Sequence, residues 1–332
     1  MRYAVIGAGS WGTTVASLIA PRVPTTIWSR SERVAREITD QLRNERYLKG
    51  FDLSPELVAT HDLFEAVQDA TVIVMGVPSH GYRDVLLEMA DVVPHDIPIL
   101  SLAKGIEAGT LMRMTEVTMD VLPGHRPSIV GVLTGPNLAR EVMAGQPAAT
   151  VVAMEDAEVA AAIQDVFKTS RFRVYTNPDV VGSEIAGAVK NVMAIAAGMA
   201  AGRGFGDNTL ASLITRALVE MTRLGVATGG DARTFAGLAG LGDLVATCSS
   251  SQSRNHQVGY GLGEGRALDD SVAEMKMVAE GVKSTRGVLA LAARHGVEMP
   301  IAEKVGAVLY DKVDAGQALH ELMTREARSE YE

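Results

Sequence analysis

Three stretches of the chain carry residue types whose spacing can do chemistry. The first is Gly7-Ala8-Gly9-Ser10-Trp11-Gly12. In such a run, placed between a strand and a helix, the first glycine permits a tight turn and the second lets a pyrophosphate reach the backbone. The third lets helix and strand pack closely. The helix start then offers free N–H groups and the positive end of its dipole to the pyrophosphate. The second stretch runs from Gly182 to Met193, apolar except for a few residues, with Lys190 inside it. Three and four residues from Lys190 stand Ala186, Gly187, Met193 and Ala194, so no carboxylate on its own helix face can pair with it. A lysine among small residues is poorly hydrated, which lowers its pKa and suits proton transfer to a carbonyl oxygen. Its partner must come from elsewhere; the plainer alternative is a snorkelling surface lysine. The third stretch is Gly240-Leu241-Gly242-Asp243-Leu244, then Thr247 to Asn255, rich in hydroxyls with one arginine and one asparagine. As a Gly-flanked loop it can donate to the three oxygens of a phosphate, and by itself it reads equally well as a flexible polar loop.

About 20 residues past a dinucleotide loop, an NAD-selective site usually shows an acidic side chain for the ribose. Ser29-Arg30 stands there instead. A guanidinium can pair with a 2′-phosphate and stack on adenine, so NADPH is expected to be accepted at least as well as NADH. The alternative is a solvated arginine at a strand end.

The elements that must position these residues follow from the hydrophobic rhythm. Short β-branched runs at Arg2 to Ile6, Thr25 to Trp28, Thr71 to Val77, Ile97 to Leu102, Ser128 to Leu133, Ala149 to Met154 and Phe172 to Tyr175 alternate with helical stretches. That is the pattern of βαβ units and a mostly parallel sheet. Continuous apolar runs such as Val72-Ile73-Val74-Met75 suit strands covered on both faces. The expected fold class is therefore α/β: an N-terminal Rossmann-type doubly wound sheet with a C-terminal all-helical domain. The boundary falls after Asn177-Pro178, giving a dinucleotide-binding domain over 1–178 and a helical substrate domain over 179–332. Ser183 is expected to cap a helix reaching about Met199, and Asn208 one that Gly225 ends.

Composition narrows the function classes. The chain has 332 residues, 47% hydrophobic and 21% charged, enough for two real cores. A net charge of −9 and the lack of a basic patch argue against nucleic acid. Charged residues, glycines or prolines break every apolar run before the roughly 18 to 20 residues a membrane span needs. The first twenty residues read as mature structure, since three glycines interrupt them. One cysteine, Cys248, rules out an intramolecular disulfide and fits a reducing, cytoplasmic setting. The seven histidines show no metal-ligand spacing, so no metal is expected.

Read together, the motifs become more specific. Gly7 to Thr13, Leu102-Ala103-Lys104-Gly105-Ile106-Glu107, Thr134-Gly135-Pro136-Asn137-Leu138-Ala139-Arg140-Glu141, Val189-Lys190-Asn191, Gly240 to Leu244 and Ser253-Arg254-Asn255 stand in one order. Gly206-Asp207-Asn208 and Val278-Ala279-Glu280-Gly281-Val282 extend the series. Across essentially its whole length the chain resembles the prokaryotic-type NAD(P)-dependent glycerol-3-phosphate dehydrogenase family. The resemblance implies NADP or NAD as cofactor, dihydroxyacetone phosphate and sn-glycerol 3-phosphate as substrate pair, phospholipid synthesis as the setting, and a homodimer. It implies Lys190 as the proton donor, with Lys104 and Asp243 completing the polar cluster. Gly135, Asn137, Ser253, Arg254 and Asn255 would hold the substrate. Ser10, Trp11, Arg30, Lys104, Ala139, Arg254, Val278 and Glu280 would contact the cofactor, beside Gly7, Gly9, Gly12 and Ser29 of the two motifs above. Asn137 stands where serine is frequent, and Lys49 where proline is common. Two rivals stay open: a β-hydroxyacid dehydrogenase or ketopantoate reductase of the same plan, and a catalytically silent NADPH-binding sensor. The hydroxyl-rich run favours a phosphate over a carboxylate, and a sensor has no need of Lys190, Lys104 and Asp243 together.

Overall fold

The computed structural model describes residues 1–273, 279–327 and 329–330. Its sheet has eight strands: β1 (Tyr3–Ile6), β2 (Thr25–Trp28), β3 (Leu57–Thr60), β4 (Val72–Met75), β5 (Ile99–Ser101), β6 (Val130–Thr134), β7 (Ala148–Ala153) and β8 (Phe172–Asn177). They lie in the order β3-β2-β1-β4-β5-β6-β7-β8. The run from β3 to β6 is parallel, β7 is antiparallel to β6, and β8 is parallel to β7. β1 and β4 are buried at every position, as strands covered on both faces must be. β3 escapes the sequence reading for a physical reason. It is a four-residue edge strand with Val58 exposed, so it carries little of the burial signal that marks its neighbours.

Between and after the strands run α1 (Ser10–Ile19), α2 (Glu32–Gln41), α3 (Leu63–Val67), α4 (Tyr82–Met89), α5 (Met114–Val121), α6 (Ala139–Met143) and α7 (Ala157–Phe167). Register places Ile6 level with Trp28 and Met75, Met75 level with Ser101, and Ser101 level with Val132. The loops that leave these strands therefore gather along one edge of the sheet, the carboxyl edge, where open α/β sheets bind ligands.

The rest of the described chain is helical: α8 (Val180–Gly202), α9 (Asp207–Ala227), α10 (Ala232–Phe235), α11 (Asp243–Ser249), α12 (Arg254–Gly263), α13 (Leu268–Ala273), α14 (Glu280–His295), α15 (Pro300–Tyr310) and α16 (Ala315–Met323). α8 is the axis around which the others pack. Its cap is Asp179, whose Oδ1 accepts from Gly182 N at 2.8 Å, rather than Ser183. Ser183 lies inside the first turns, and its hydroxyl is buried without a partner among the described residues. α8 also corrects the expectation about apolar length. At 23 residues and a hydropathy of 1.4 it is long and apolar enough to cross a membrane, but 83% of that window is buried inside the protein. Glu184 ties α8 to the sheet side, accepting from Thr115 N at 3.0 Å and Arg113 Nη1 at 2.7 Å.

α9 likewise starts one residue before Asn208, with Gly206 as its cap, and runs past Gly225. Gly225 is there for packing. A β-carbon on it would stand 1.8 Å from Phe235 Cζ, so the ring occupies the space the missing side chain leaves.

α12 lies backbone to backbone on α8 because both helices present glycines at the crossing. A β-carbon on Gly198 would meet His256 O at 2.1 Å, and one on Gly259 would meet Ile195 O at 2.0 Å. Gly202 and Gly263 repeat the contact one turn on. This approach fixes where the first turn of α12, with Arg254 and Asn255, sits relative to Lys190. Backbone cannot yield as a flexible side chain can, so Gly259→Val is expected to cost about 3 kcal/mol or more in urea unfolding. Gly81→Ala, with open space around it and φ −118°, should stay within about 0.5 kcal/mol of the parent. A loss below about 1 kcal/mol for Gly259→Val would mean the crossing is adjustable.

Candidate active site

Three elements distant in sequence meet at Asp243, the first residue of α11 and 1% exposed. Its Oδ1 accepts from Lys190 Nζ at 3.0 Å and its Oδ2 from Lys104 Nζ at 2.6 Å. Lys190 comes from the middle of α8 and Lys104 from the loop after β5. A single π-turn, Leu238–Gly242, delivers Asp243. Its Gly240 has no room for a β-carbon, which would stand 2.1 Å from Phe235 O. Lys190 Nζ also donates to Thr247 Oγ1 at 2.7 Å, and Thr247 Oγ1 donates back to Asp243 Oδ1 at 3.2 Å. Lys104 Nζ donates to Gly135 O at 3.2 Å, and its backbone carbonyl accepts from Asn191 Nδ2 at 3.1 Å. The Lys104 stem runs past Gly187 of α8, at ordinary van der Waals distance, 3.4 Å, from where a β-carbon would stand.

The family resemblance grouped Lys104 and Asp243 with Lys190, and the structure brings the three together, but the sequence reading did not single out Thr247 or Asn191. Thr247 stands four residues after Asp243, on the same helix face, which is the signal that could have found it. Asn191 follows Lys190 directly, and nothing in its local sequence says that its amide turns to the sheet side.

The electrostatics follow from burial. Lys190 is pushed down to about 8, first by desolvation and then by the Lys104 charge, with Asp243 pulling the other way. Asp243 feels the same desolvation, yet the two ammonium groups outweigh it and hold the carboxyl below its ordinary range. Burial pushes the Cys248 thiol up to about 12, against the pull of Lys190. Such a thiol is not ionised near neutral pH and is no nucleophile.

The polar run after Asp243 is not the loop the sequence suggests. Thr247 and Cys248 lie within α11, and Arg254 opens α12 after a short turn. Ser253 is its cap, Oγ accepting from His256 N at 3.3 Å. The apolar positions of both segments close on α8, and that tertiary packing overrides the polar, turn-like composition. Arg254 is exposed on the first turn, at the positive end of a ten-residue helix. Asn255 is buried, and its Oδ1 accepts from Gly281 N at 2.9 Å. Gly281 is wedged between that amide and Asn191 O, which a β-carbon would approach to 2.8 and 2.6 Å. Asn255 is thus one residue away, in packing, from the neighbour of Lys190. Across the site, Gly135 has φ +140°, and Asn137 Nδ2 donates to Thr150 Oγ1 at 2.8 Å. Asn137 Oδ1 is buried without a partner among the described residues.

The N-terminal glycines divide into two kinds. Gly7 has φ +119°, and a β-carbon on it would stand 2.8 Å from the Gly76 carbonyl carbon. A β-carbon on Gly12 would stand 2.1 Å from Gly7 O. Gly9 has φ −72° and nothing within 4 Å of its β-carbon position. Neither backbone strain nor protein packing accounts for glycine there, and the open space is where a pyrophosphate would lie. Ser10 Oγ donates to Tyr47 O at 2.8 Å. The Trp11 indole packs against Phe172 with ring centroids 6.3 Å apart, so its ring serves the core. Ser29 is buried and its Oγ accepts from Ser31 N at 3.2 Å, while Arg30 is exposed. Ala139, half-buried, opens α6. Glu280 Oε1 accepts from Ser79 N at 3.2 Å, bridging α14 to the turn after β4. Partial burial, then Lys283, then Arg30 lower the His80 pKa against Glu280, which marks a cluster of cations at this mouth. Val278 lies outside the described residues.

Two family models divide the chain between them: the NAD-dependent glycerol-3-phosphate dehydrogenase N-terminus over residues 2–160 and the C-terminus over residues 179–320. A glycerol-3-phosphate dehydrogenase [NAD(P)+] 2 from Sphingopyxis alaskensis is 53% identical over 92% of this chain and 91% of its own. One from Anaeromyxobacter dehalogenans is 49% identical over 99% of this chain and 100% of its own. The crystal structure of a glycerol-3-phosphate dehydrogenase from Coxiella burnetii, 37% identical, superposes with a TM-score of 0.92 over 98% of this chain and 99% of that one. Order of motifs, geometry and likeness agree: the chain belongs to the NAD-dependent glycerol-3-phosphate dehydrogenase family.

Proposed function

We propose that this protein is an NAD(P)-dependent oxidoreductase that interconverts dihydroxyacetone phosphate and sn-glycerol 3-phosphate. The observation that carries the reading is the buried Asp243 carboxylate shared by two lysines, one of them with its pKa lowered to about 8. Family membership supports the substrate and cofactor classes; with them goes the proposal of a cytoplasmic homodimer serving phospholipid synthesis. The same reading assigns residues 1–178 to the cofactor and 179–332 to the substrate.

The residues present fit a dinucleotide. Gly7 and Gly12 let the loop close on Gly76 and on itself, Gly9 leaves the cradle open, and the start of α1 with Ser10 and Trp11 would offer backbone N–H groups to the pyrophosphate. Ser29 and Arg30 would meet the ribose, Ala139 and Glu280 would border the cofactor, and Arg254 would contact both ligands. The Arg30 and Lys283 charges favour a 2′-phosphate. When bound, the nicotinamide supplies or accepts the hydride.

In carbonyl reduction Lys190 delivers its proton to the ketone oxygen, and Lys104 stabilises the developing alkoxide. In alcohol oxidation neutral Lys190 takes that proton back. Asp243 and Thr247 hold Lys190 in line, and Asn191 fixes the Lys104 backbone. Ser253, Arg254 and Asn255 receive the substrate phosphate at the start of α12, whose binding energy fixes the pose of the distant carbonyl. Gly135 and Asn137 close the opposite wall.

The direct test follows NADPH and NADH absorbance with dihydroxyacetone phosphate, ketopantoate and a β-keto acid. Turnover with dihydroxyacetone phosphate should exceed the others by about 10²-fold or more, and equal or faster reduction of ketopantoate would refute the reading. Arg254→Ala should weaken dihydroxyacetone phosphate by about 1.5 to 3 kcal/mol while leaving an unphosphorylated hydroxyketone nearly unaffected, because a charge-assisted phosphate donor is lost. Equal losses for both ketones would place Arg254 on the cofactor or the fold instead.

A further inference from the structure

The Gly-rich loop does not hold its own shape. After α2 the chain turns at Leu42, which adopts φ +54°, and Leu53 N returns to Leu42 O at 2.7 Å, closing the intervening segment into a compact loop. Inside it Asn44 is completely buried. Its Nδ2 donates to Ala8 O at 3.0 Å and to Thr13 Oγ1 at 2.9 Å. Its own carbonyl accepts from Leu48 N at 2.7 Å, which folds Tyr47 back to receive the Ser10 hydroxyl. One turn of chain thus grips the glycine loop at Ala8, Ser10 and Thr13.

The grip on Ala8 has a directional consequence. In a trans peptide the C=O of one residue and the N–H of the next point in opposite directions, and no cis peptide occurs among the described residues. With Ala8 C=O drawn inward to Asn44, the Gly9 N–H points away from it, on the residue whose β-carbon position is empty. The geometry points to Asn44 as a positioning residue for the dinucleotide: it sets the Ala8–Gly9 peptide plane so that the Gly9 N–H meets the pyrophosphate. An amide is a costly way to fill this space, since its Oδ1 is buried without a partner among the described residues. An aliphatic side chain of the same size would fill it without that loss. The two donations from Nδ2 are what the amide provides.

This assignment rests on reading the loop as a dinucleotide cradle, and the test separates the two. Asn44→Leu keeps the volume and removes both donors. Titration of the full-length protein with NADPH should then show Kd raised about tenfold or more, the equivalent of one well-placed hydrogen bond. Adenosine 2′-monophosphate, which keeps the adenosine end and lacks the pyrophosphate, should change by less than about threefold. An unchanged Kd for NADPH, or an equal loss for both probes, would overturn the assignment. If Asn44→Leu does not fold, Asn44→Ser decides: its single short hydroxyl cannot span both acceptors, so NADPH should weaken by at least about threefold and adenosine 2′-monophosphate should not. A parent protein that binds neither NADPH nor NADH would refute the cradle itself.

Discussion

The carboxylate of Asp243 is almost wholly withdrawn from water and divides its two oxygens between two ammonium groups, one from the loop after β5 and one from α8. A buried charge of this kind persists only when it is paired and hydrogen-bonded, and removing one partner typically costs about 3–5 kcal/mol. Here one anion meets two cations, so the cluster carries a net positive charge. That excess suits a site where an alkoxide must form, because it costs no reorganisation when the charge appears. It also explains why Lys190 does not behave as an ordinary ion-paired lysine. Asp243 favours its charged form, but desolvation and Lys104 together prevail.

Most of the packing around the cluster reads as a consequence of bringing these charges together. The π-turn before Asp243 needs Gly240, and the start of α14 needs Gly281 between Asn191 and Asn255. The α8–α12 crossing needs Gly198, Gly202, Gly259 and Gly263. Apart from Gly240 in the π-turn these glycines lie in α-helices, and none adopts a positive φ, so backbone freedom is not what calls for glycine. What they share is a neighbour, carbonyl oxygen or side chain, standing where a β-carbon would be. The helices that follow β8 are assembled by close approach, and the polar residues are carried into place by that approach.

Much of this was legible in the sequence. Short β-branched runs identified seven strands; β8 is an edge too but spans six residues, whereas the half-exposed edge β3 has only four and was not visible. Lys190 stood out because its helix face offers no partner, and the structure supplies Asp243 from another helix. The stretch from Thr247 to Asn255 read as one loop, since its hydroxyls resemble turn chemistry; only Ser250 to Ser253 turns, and the flanking residues are helical through contact with α8. Ser183 was a plausible cap by composition, but Asp179, directly after a proline, takes the free N–H groups four residues earlier. Asn44 was invisible, since a single asparagine between two helical turns carries no pattern of its own.

The central claim is that burial against a shared carboxylate, rather than mere proximity, prepares Lys190 for proton transfer. The measurement that tests it most directly is the pH dependence of kcat/KM in both directions with saturating cofactor. Reduction needs the protonated lysine, so it should be level below about 8, the value for Lys190, and fall about tenfold per pH unit above it. Oxidation needs the neutral amine, so it should rise with pH and level off above the same point. Profiles in which both limbs shift to the ordinary lysine range above about 10 would contradict the account.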